Sequence, residues 1–132
     1  MEHRSDKPVK PVKHHDVVII GGGPAGLTAG IYTGRALLST VIIERGVAGG
    51  QIAQTADVEN YPGFPAGISG AELSERFLAQ ARRFGASLVR DEVLAVEKDP
   101  TGGFWVRGNE SDYHAGSVIV ATGANPRLLG VP

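Results

Sequence analysis

The sequence predicts an α/β fold, in which an antiparallel β-meander is inserted into a doubly wound parallel sheet. Two short apolar runs rich in β-branched residues flank a segment of helical character, and a third such run lies near residue 120. Runs of this kind are typical of parallel strands that are buried on both faces. Between residues 99 and 111, two Gly-rich turn signals separate shorter strand-like segments, and such turns favour antiparallel pairing.

The first predicted unit is a strand, a helix and a second strand. The first strand is predicted at residues 16–20, which are all apolar after Asp16, and it stops at a glycine. Pro24 begins the helix, because proline is favoured at the first helical position, and the helix extends to about Arg35. The second strand occupies residues 40–43 and ends in Glu44. This order is that of a βαβ unit.

Two irregular segments and a second helix follow. Residues 45–51 contain too many glycines for a helix or strand, whereas the aromatic residues and prolines of 52–68 predict an ordered wall. Ser69 and Glu72 match a capping box, so a helix is predicted to begin there and to end near Gly85. Its apolar stripe comprises Leu73, Phe77, Ala81 and Phe84.

The remainder of the chain is predicted to be rich in strands. A short strand at 87–90 is expected to join the parallel sheet. The antiparallel meander is predicted at residues 92–98, 104–107 and 112–114. A buried strand at 117–121 should return beside the first strand, because the order of a right-handed doubly wound sheet reverses there. Ala121, Thr122 and Gly123 would then lie at the same edge as the first glycine turn.

That first turn carries a dinucleotide fingerprint. Gly21, Gly23 and Gly26 stand in G-x-G-x-x-G spacing, which permits a sharp turn, backbone approach to a pyrophosphate, and helix packing on the sheet. The positive end of the helix faces the same pyrophosphate. Glu44 follows Gly21 by 23 residues, close to the ~20 at which an acid meets the adenosine ribose. A carboxylate repels a 2′-phosphate, so FAD or NAD is predicted rather than NADP. The fold is therefore predicted to be Rossmann-like.

Composition narrows the class of protein. The 132 residues suit one domain, predicted at 16–132, preceded by a disordered tail at 1–15 that is rich in Lys, His and Pro. A formal net charge of −1 argues against a nucleic-acid or membrane surface. With neither a signal peptide nor an apolar run of ~18 residues, a cytoplasmic protein is expected. Cysteine is absent, which excludes a redox-active thiol pair within this chain, and His14 and His15 lack further metal ligands.

With these residues in hand, the sequence resembles the N-terminal FAD-binding part of low-molecular-weight thioredoxin reductases, class II of the pyridine nucleotide-disulfide oxidoreductases. The resemblance covers residues 16–132 and is carried by residues 21–29, 49–51, 58–64 and 121–124. The first and last of these segments occur across many flavoproteins with two dinucleotide sites. The middle two, Gly-Gly-Gln and Val-Glu-Asn-Tyr-Pro-Gly-Phe, are much more specific, since they line the flavin in this family.

The resemblance implies FAD as the cofactor and assigns residues to its parts. At the pyrophosphate it places Gly21, Gly23, Pro24, Ala25 and Gly26, with Ala121, Thr122 and Gly123 on its other side. It places Glu44 at the ribose and Val93 against part of the adenine. The loop of Gly49, Gly50 and Gln51, together with Asn60, falls near the ribityl chain and the flavin ring. No catalytic residue and no metal ligand are expected in this chain.

The resemblance also implies what lies elsewhere. In this family the C-x-x-C and the NADPH site belong to a central domain that follows a segment like 128–132, and a C-terminal return completes the FAD domain. We therefore expect residues 16–132 to be an incomplete FAD domain that lacks turnover alone. The whole protein would pass electrons from NADPH through FAD to a protein disulfide, with thioredoxin or a similar redox protein as its partner, and would form a homodimer.

Three different functions stay open on the sequence. A ferredoxin–NADP reductase-like flavoprotein has similar architecture and uses no thiol pair. A non-catalytic module that binds FAD or a nucleotide would also fit the glycine motif. An NAD-binding domain of a small dehydrogenase explains that motif but leaves residues 49–51 and 60–63 without a role.

Overall fold

One mixed sheet organises the chain, which is described from residue 9 to residue 123 in a computed structural model. Its six strands are β1 (Val12–Ile20), β2 (Thr40–Glu44), β3 (Ser87–Arg90), β4 (Val93–Lys98), β5 (Phe104–Gly108) and β6 (Asp112–Val120). They lie in the order β3-β2-β1-β6-β5-β4. The first four strands in this order pair in parallel, and the β6-β5-β4 pairs are antiparallel. The predicted parallel sheet with an antiparallel meander is confirmed.

Two α-helices, α1 (Pro24–Arg35) and α2 (Gly70–Arg83), pack on one face of the parallel strands. Their core contains Val17, Ile19, Leu27, Ile42, Leu73, Phe77 and Ala81. The opposite face of the sheet buries Val18, Ile20, Val41, Ile43, Val106, Tyr113 and Ala115. Consecutive residues of β1 and β2 therefore point into two cores, which is why their sequences are apolar without alternation.

The start of α2 is fixed by the predicted cap. Ser69 Oγ accepts a hydrogen bond from the Glu72 backbone N–H at 3.1 Å, while the Glu72 carboxylate pairs with Arg76 one turn further on. Neither helix between residues 9 and 123 is both long and apolar enough to cross a bilayer.

The predicted tail boundary at residue 15 is wrong, because β1 already begins at Val12. Residues 12–15 pair in parallel with residues 112–115 of β6, and Lys10 Nζ lies 3.3 Å from the Asp112 carboxylate. Polar side chains in this part of β1 remain accessible, so the sequence lacked the apolar run that signals a buried strand. The rest of the predicted tail, residues 1–8, lies outside the described residues.

The two strands predicted at 112–114 and 117–121 form the single strand β6. Its first half pairs with both β5 and β1, whereas its second half continues beside β1 after the pairing with β5 ends at Ala115. Gly116 and Ser117 are exposed, and because neither is apolar they interrupt the strand pattern in the sequence. The predicted return of this segment beside β1 is confirmed.

The glycine-rich loop also contains more regular structure than predicted. A short 3₁₀ helix occupies Gly50–Gln54, preceded by Gly49 at φ 99°. The rest of the segment predicted to be an ordered wall is irregular apart from one bridge, and it packs on α2. Val58 pairs with Ile68, and the Tyr61 ring lies 5.4 Å from that of Phe77.

Candidate functional site

The turn between β1 and α1 is closely packed at two of its three motif glycines. Gly21 has φ 110°, and its N–H donates to the Ile43 carbonyl at 2.8 Å. A Cβ on Gly21 would overlap the Ala121 carbonyl, and a Cβ on Gly26 would overlap the Gly21 carbonyl. These two positions therefore bring β1, α1 and the end of β6 together.

Gly23 differs because it faces open space. A Cβ there would meet no atom within 4 Å among the described residues. Gly23 is the N-cap of α1, Pro24 follows at the first position, and no side chain within residues 9–123 caps this end. The first helical turn therefore presents backbone N–H groups and a positive dipole end without a side-chain acceptor.

The Glu44 carboxylate is held directly against this turn. Its Oε1 accepts from the Gly22 N–H at 3.0 Å, and its Oε2 accepts from the Gly46 N–H at 2.6 Å. An ionised carboxylate can accept about four hydrogen bonds, so it retains acceptor capacity for two hydroxyls. The end of β2 and the glycine turn thus form one surface.

A cavity of about 280 Å³ opens at the carboxyl edge of the parallel strands. It is lined by Ile20, Gly21, Ile43, Glu44, Arg45, Asp91, Glu92, Val93, Thr122 and Gly123. Ligands of doubly wound sheets bind at this edge, where the strand order reverses. Five lining residues, namely Gly21, Glu44, Val93, Thr122 and Gly123, were predicted from the sequence.

The other predicted residues, including Gly23, do not line this cavity. Ala121 continues β6, and its N–H donates to the Ile20 carbonyl at 2.8 Å. Gly49 donates to the Gly22 carbonyl at 2.6 Å, and a Cβ on Gly50 would lie 3.4 Å from Gly23 Cα. Gln51 and Asn60 are exposed on the next segment and do not line the cavity.

Sequence reasoning missed Asp91, which is 5% exposed in the cavity wall. Its Oδ1 accepts from the backbone N–H groups of Glu92 and Glu110 at 2.8 and 2.9 Å. Its Oδ2 accepts from the Ser111 N–H at 3.1 Å and from Tyr113 Oη at 2.9 Å. The available signal was its position, an acid directly after β3 at the same sheet edge as Glu44.

These contacts set the ionisation of the Asp91–Tyr113 pair. Burial alone would raise the pKa of Asp91, but the hydrogen bonds from Glu110, Tyr113, Glu92 and Ser111 outweigh it and lower that pKa below its ordinary value. Burial, together with the Asp91 carboxylate, raises the pKa of Tyr113 well above its ordinary value. Asp91 is therefore a carboxylate and Tyr113 a hydrogen-bond donor at neutral pH.

No group of three or more potential metal ligands occurs between residues 9 and 123. The chemistry available at the sheet edge is that of backbone N–H groups, the accessible carboxylates of Glu44 and Glu92, and an apolar floor formed by Ile20 and Ile43. Together these features define a mixed α/β domain with a partial Rossmann-like arrangement and a cavity at the carboxyl edge of its parallel strands. The profile described as "Pyridine nucleotide-disulphide oxidoreductase" matches residues 15–132, and the chain belongs to this family.

Within the family, the chain is similar to thioredoxin reductases. That of Bacillus subtilis is 48% identical over 120 residues, which cover 91% of this chain and 37% of the relative. That of Listeria monocytogenes is 48% identical over 118 residues, which cover 89% and 36%. The resemblance predicted from the motifs is confirmed.

Comparison with solved structures also finds thioredoxin reductases. Thioredoxin reductase from T. acidophilum superposes with a TM-score of 0.85 at 40% identity, over 90% of this chain and 38% of that one. The Lactococcus lactis enzyme gives 0.84 at 41% identity, over 89% and 38%. The chain thus spans less than two fifths of the length of these relatives.

Proposed function

We propose that this chain binds FAD as part of a thioredoxin reductase-like flavoprotein. The observation that carries the proposal is the hydrogen bond between the Gly22 N–H and Glu44 Oε1. It joins the turn suited to a pyrophosphate to the acid suited to a ribose, so that one adenosine diphosphate could contact both. Membership of an oxidoreductase family and similarity to thioredoxin reductases support the redox role.

The residues at the sheet edge fit the adenosine half of FAD. The N–H groups at the start of α1 would bind the pyrophosphate, and the open space at Gly23 lets the phosphates approach the backbone. Glu44 would accept hydrogen bonds from the ribose hydroxyls, while Gly22 and Gly46 fix its orientation. Val93 would contact the adenine from the cavity wall, and Thr122 and Gly123 would close the opposite side.

The loop that packs on the glycine turn extends the site toward the flavin. Gly49 donates to the Gly22 carbonyl, and this contact brings the loop that carries Gly50 and Gln51 beside the turn. Bound FAD supplies hydride acceptance and one-electron chemistry, while the chain supplies binding and orientation. Pro24, Ala25, Gly26 and Ala121 complete the proposed set through their positions beside the pyrophosphate.

We further propose that the whole protein transfers electrons from NADPH through FAD to thioredoxin or a similar redox protein, as a cytoplasmic homodimer. Such a protein needs a dithiol, and these 132 residues contain no cysteine, so the dithiol would belong to another part of it. The chain alone is accordingly expected to bind the cofactor without reducing a disulfide.

Ligand competition tests the cofactor proposal. FAD titrated into the 132-residue chain should show a change in flavin fluorescence anisotropy, and ADP should displace it. FMN, which lacks the adenosine half, should bind much more weakly. Failure of ADP to compete with FAD would contradict the proposed site.

A ferredoxin–NADP reductase-like role is the second candidate. Such a flavoprotein has a similar architecture but transfers electrons without a thiol pair, so a dithiol outside these 132 residues is the feature that distinguishes the two candidates. The full gene product separates the two candidates. Reduction of thioredoxin with NADPH supports the first proposal, whereas NADPH-driven reduction of ferredoxin without disulfide reduction supports the second.

A further inference from the structure

Two histidines from distant parts of the chain lie side by side on the sheet, and neither lines the cavity described above. His14 on β1 and His114 on β6 are direct partners in the parallel register, and their ring centroids lie 5.9 Å apart. Tyr113 and Ala115 are buried in the core of one face, so His114 between them points to the opposite face. The sequence shows only that His15 follows His14, whereas the fold places a second imidazole beside His14.

Asp99 orients the ring of His114. Its Oδ2 lies 2.8 Å from His114 Nε2, and its Oδ1 accepts hydrogen bonds from the backbone N–H and the hydroxyl of Thr101 at 2.9 and 2.8 Å. An ionised carboxylate only accepts hydrogen bonds, so Nε2 carries the hydrogen, and Nδ1 of the neutral ring holds the lone pair. A carboxylate sets the tautomer of metal-binding histidines in the same way.

The other ring nitrogens of the pair are open to a ligand. Between residues 9 and 123, neither nitrogen of His14 nor Nδ1 of His114 forms a hydrogen bond. His14 is exposed, and the side chain of His114 retains 25% of its accessible surface. The nearby cations Lys10 and Arg107 both pair with the Asp112 carboxylate, which offsets their repulsion of a further cation.

The separation of the two rings suits a shared metal ion. A bond from a metal to an imidazole nitrogen is ~2.0–2.1 Å long and that nitrogen lies about 1.1 Å from the ring centre, so two rings on one ion have centroids at most about 6.3 Å apart. The observed 5.9 Å lies within this limit, and the rings are tilted by 50° rather than stacked in parallel. Because both histidines belong to paired strands, the backbone holds them in register.

We propose that His14 and His114 bind one divalent late transition-metal ion, with Asp99 as the positioning residue of His114 and water completing the coordination. Imidazole suits Cu²⁺, Ni²⁺ and Zn²⁺, and Cu²⁺ binds most tightly of the three in the general order of affinity. Residues 9–123 contain no group of three or more potential ligands, so the site is open and exchangeable rather than a closed structural zinc site. The bound ion would link the start of β1 to β6, independently of the proposed FAD site.

Copper titration followed through the fluorescence of Trp105 tests the proposal. Trp105 is the single tryptophan, and its ring centroid lies 4.7 Å from that of His114, so a paramagnetic ion bound there should quench its emission. The 132-residue chain is used with His3→Ala, which removes the histidine outside the described residues. Cu²⁺ should quench with saturation at one equivalent, whereas Mg²⁺, which prefers oxygen ligands, should leave the emission unchanged.

Variants separate the pair from non-specific binding. Asp99→Asn should weaken Cu²⁺ binding roughly tenfold, and His14→Ala and His114→Ala should each weaken it further, because a ligand itself is lost. The matched control is His15→Ala, since His15 is adjacent in sequence but its Nδ1 lies 3.0 Å from Ser39 Oγ. This control should leave the affinity unchanged.

A spectroscopic measurement isolates the positioning role of Asp99. In mildly alkaline buffer without metal, imidazole ¹⁵N shifts should show His114 as the Nε2–H tautomer, and Asp99→Asn should give a mixture of tautomers. An unchanged tautomer in Asp99→Asn would remove the positioning role.

Three results would overturn the metal site. Quenching that never saturates, or equal losses in His14→Ala and His15→Ala, would indicate an adventitious ion only. Unchanged affinity in His14→Ala would show that the two rings do not share an ion. Because His14 is exposed, the melting temperature of His14→Ala without metal should match that of the parent chain, so this variant decides the question even if His114→Ala disturbs the β4–β5 turn.

Discussion

The motif glycines of the β1–α1 turn have different surroundings, so their substitutions should separate binding from folding. Gly26 has no room for a Cβ, whereas Gly23 faces open space. The sequence predicted these separate roles from spacing alone, because the chemistry of each position follows from a short and local geometry.

Gly23→Val should abolish ADP and FAD binding, because the side chain would fill the space that the pyrophosphate occupies. Its free energy of unfolding should change by no more than about 1 kcal/mol, as for a weaker N-cap residue. Gly26→Ala should instead destabilise the fold by roughly 1–3 kcal/mol through overpacking against Gly21. Urea unfolding and ligand titration measure the two effects. Normal binding by Gly23→Val would remove the pyrophosphate assignment.

Glu44→Ala should weaken ADP binding by roughly 1–3 kcal/mol, because the ribose hydroxyls lose a carboxylate acceptor. It also leaves the Gly22 and Gly46 N–H groups without their carboxylate partner. Glu44→Gln retains one acceptor oxygen and should bind with intermediate affinity. Calorimetric titration of the three proteins gives this order, and equal affinities would remove the ribose assignment while leaving the pyrophosphate claim standing.

Arg45 and Asp91 line the cavity, but neither was predicted from the sequence to be a site residue. Neither belongs to a recognisable spacing. Arg45 directly follows β2, whereas the place of Asp91 depends on β3 lying beside β2 and on the meander folding back to Asp91, which are long-range arrangements.

At the scale of elements, Asp91 connects the parallel strands to the meander through hydrogen bonds, and we call this connection the Asp91 joint. Its own N–H donates to the Glu44 carbonyl, and its carboxylate binds the β5–β6 turn through Glu110 and Ser111. The wall that carries Val93 is thereby fixed relative to the acid of β2. This joint explains how a meander with no motif of its own shapes the proposed adenine end of the site.

Asp91→Ala should lower the free energy of unfolding by about 3 kcal/mol at neutral pH, because several buried donors lose their acceptor. The folded-state pKa of Asp91 lies below its ordinary value. Its stabilising effect is therefore complete above the unfolded pKa near ~4 and is lost as pH falls through the folded pKa. The difference from wild type should shrink in acid. Asp57→Ala, at an exposed loop acid, is the control, and an equal effect there would contradict the proposed joint.

The elements themselves were largely predictable where burial leaves an apolar pattern. The boundaries of α1 and the position of β2 follow from Pro24 and from a continuous buried run. The first four residues of β1 and the continuity of β6 were missed. Both are stabilised by pairing with a distant strand while their side chains remain accessible.

At the scale of the whole molecule, part of one strand in the described sheet has an unpaired edge. Beyond Ala115, the side of β6 that faces away from β1 has no strand partner among residues 9–123, and Val120 is 68% exposed there. Exposed strand edges favour pairing with another chain. The 132-residue chain is therefore expected to associate as its concentration rises.

Val120→Lys should reduce this association without lowering the melting temperature, because an edge lysine opposes strand pairing. Val47→Lys serves as the matched control, since Val47 is 70% exposed in a loop. Sedimentation velocity across a concentration series measures the effect. Equal behaviour of the two variants would show that the β6 edge is not the surface of association.

The central claim, that one adenosine diphosphate binds between the glycine turn and Glu44, is tested most directly by amide chemical-shift mapping. ADP titrated into the ¹⁵N-labelled chain should perturb residues 21–26, 44–46, 91–93 and 122–123 together, with saturation at one equivalent. It should leave the β4–β5 turn at 99–103 unchanged. Perturbations centred elsewhere, or none in residues 21–26, would contradict the claim.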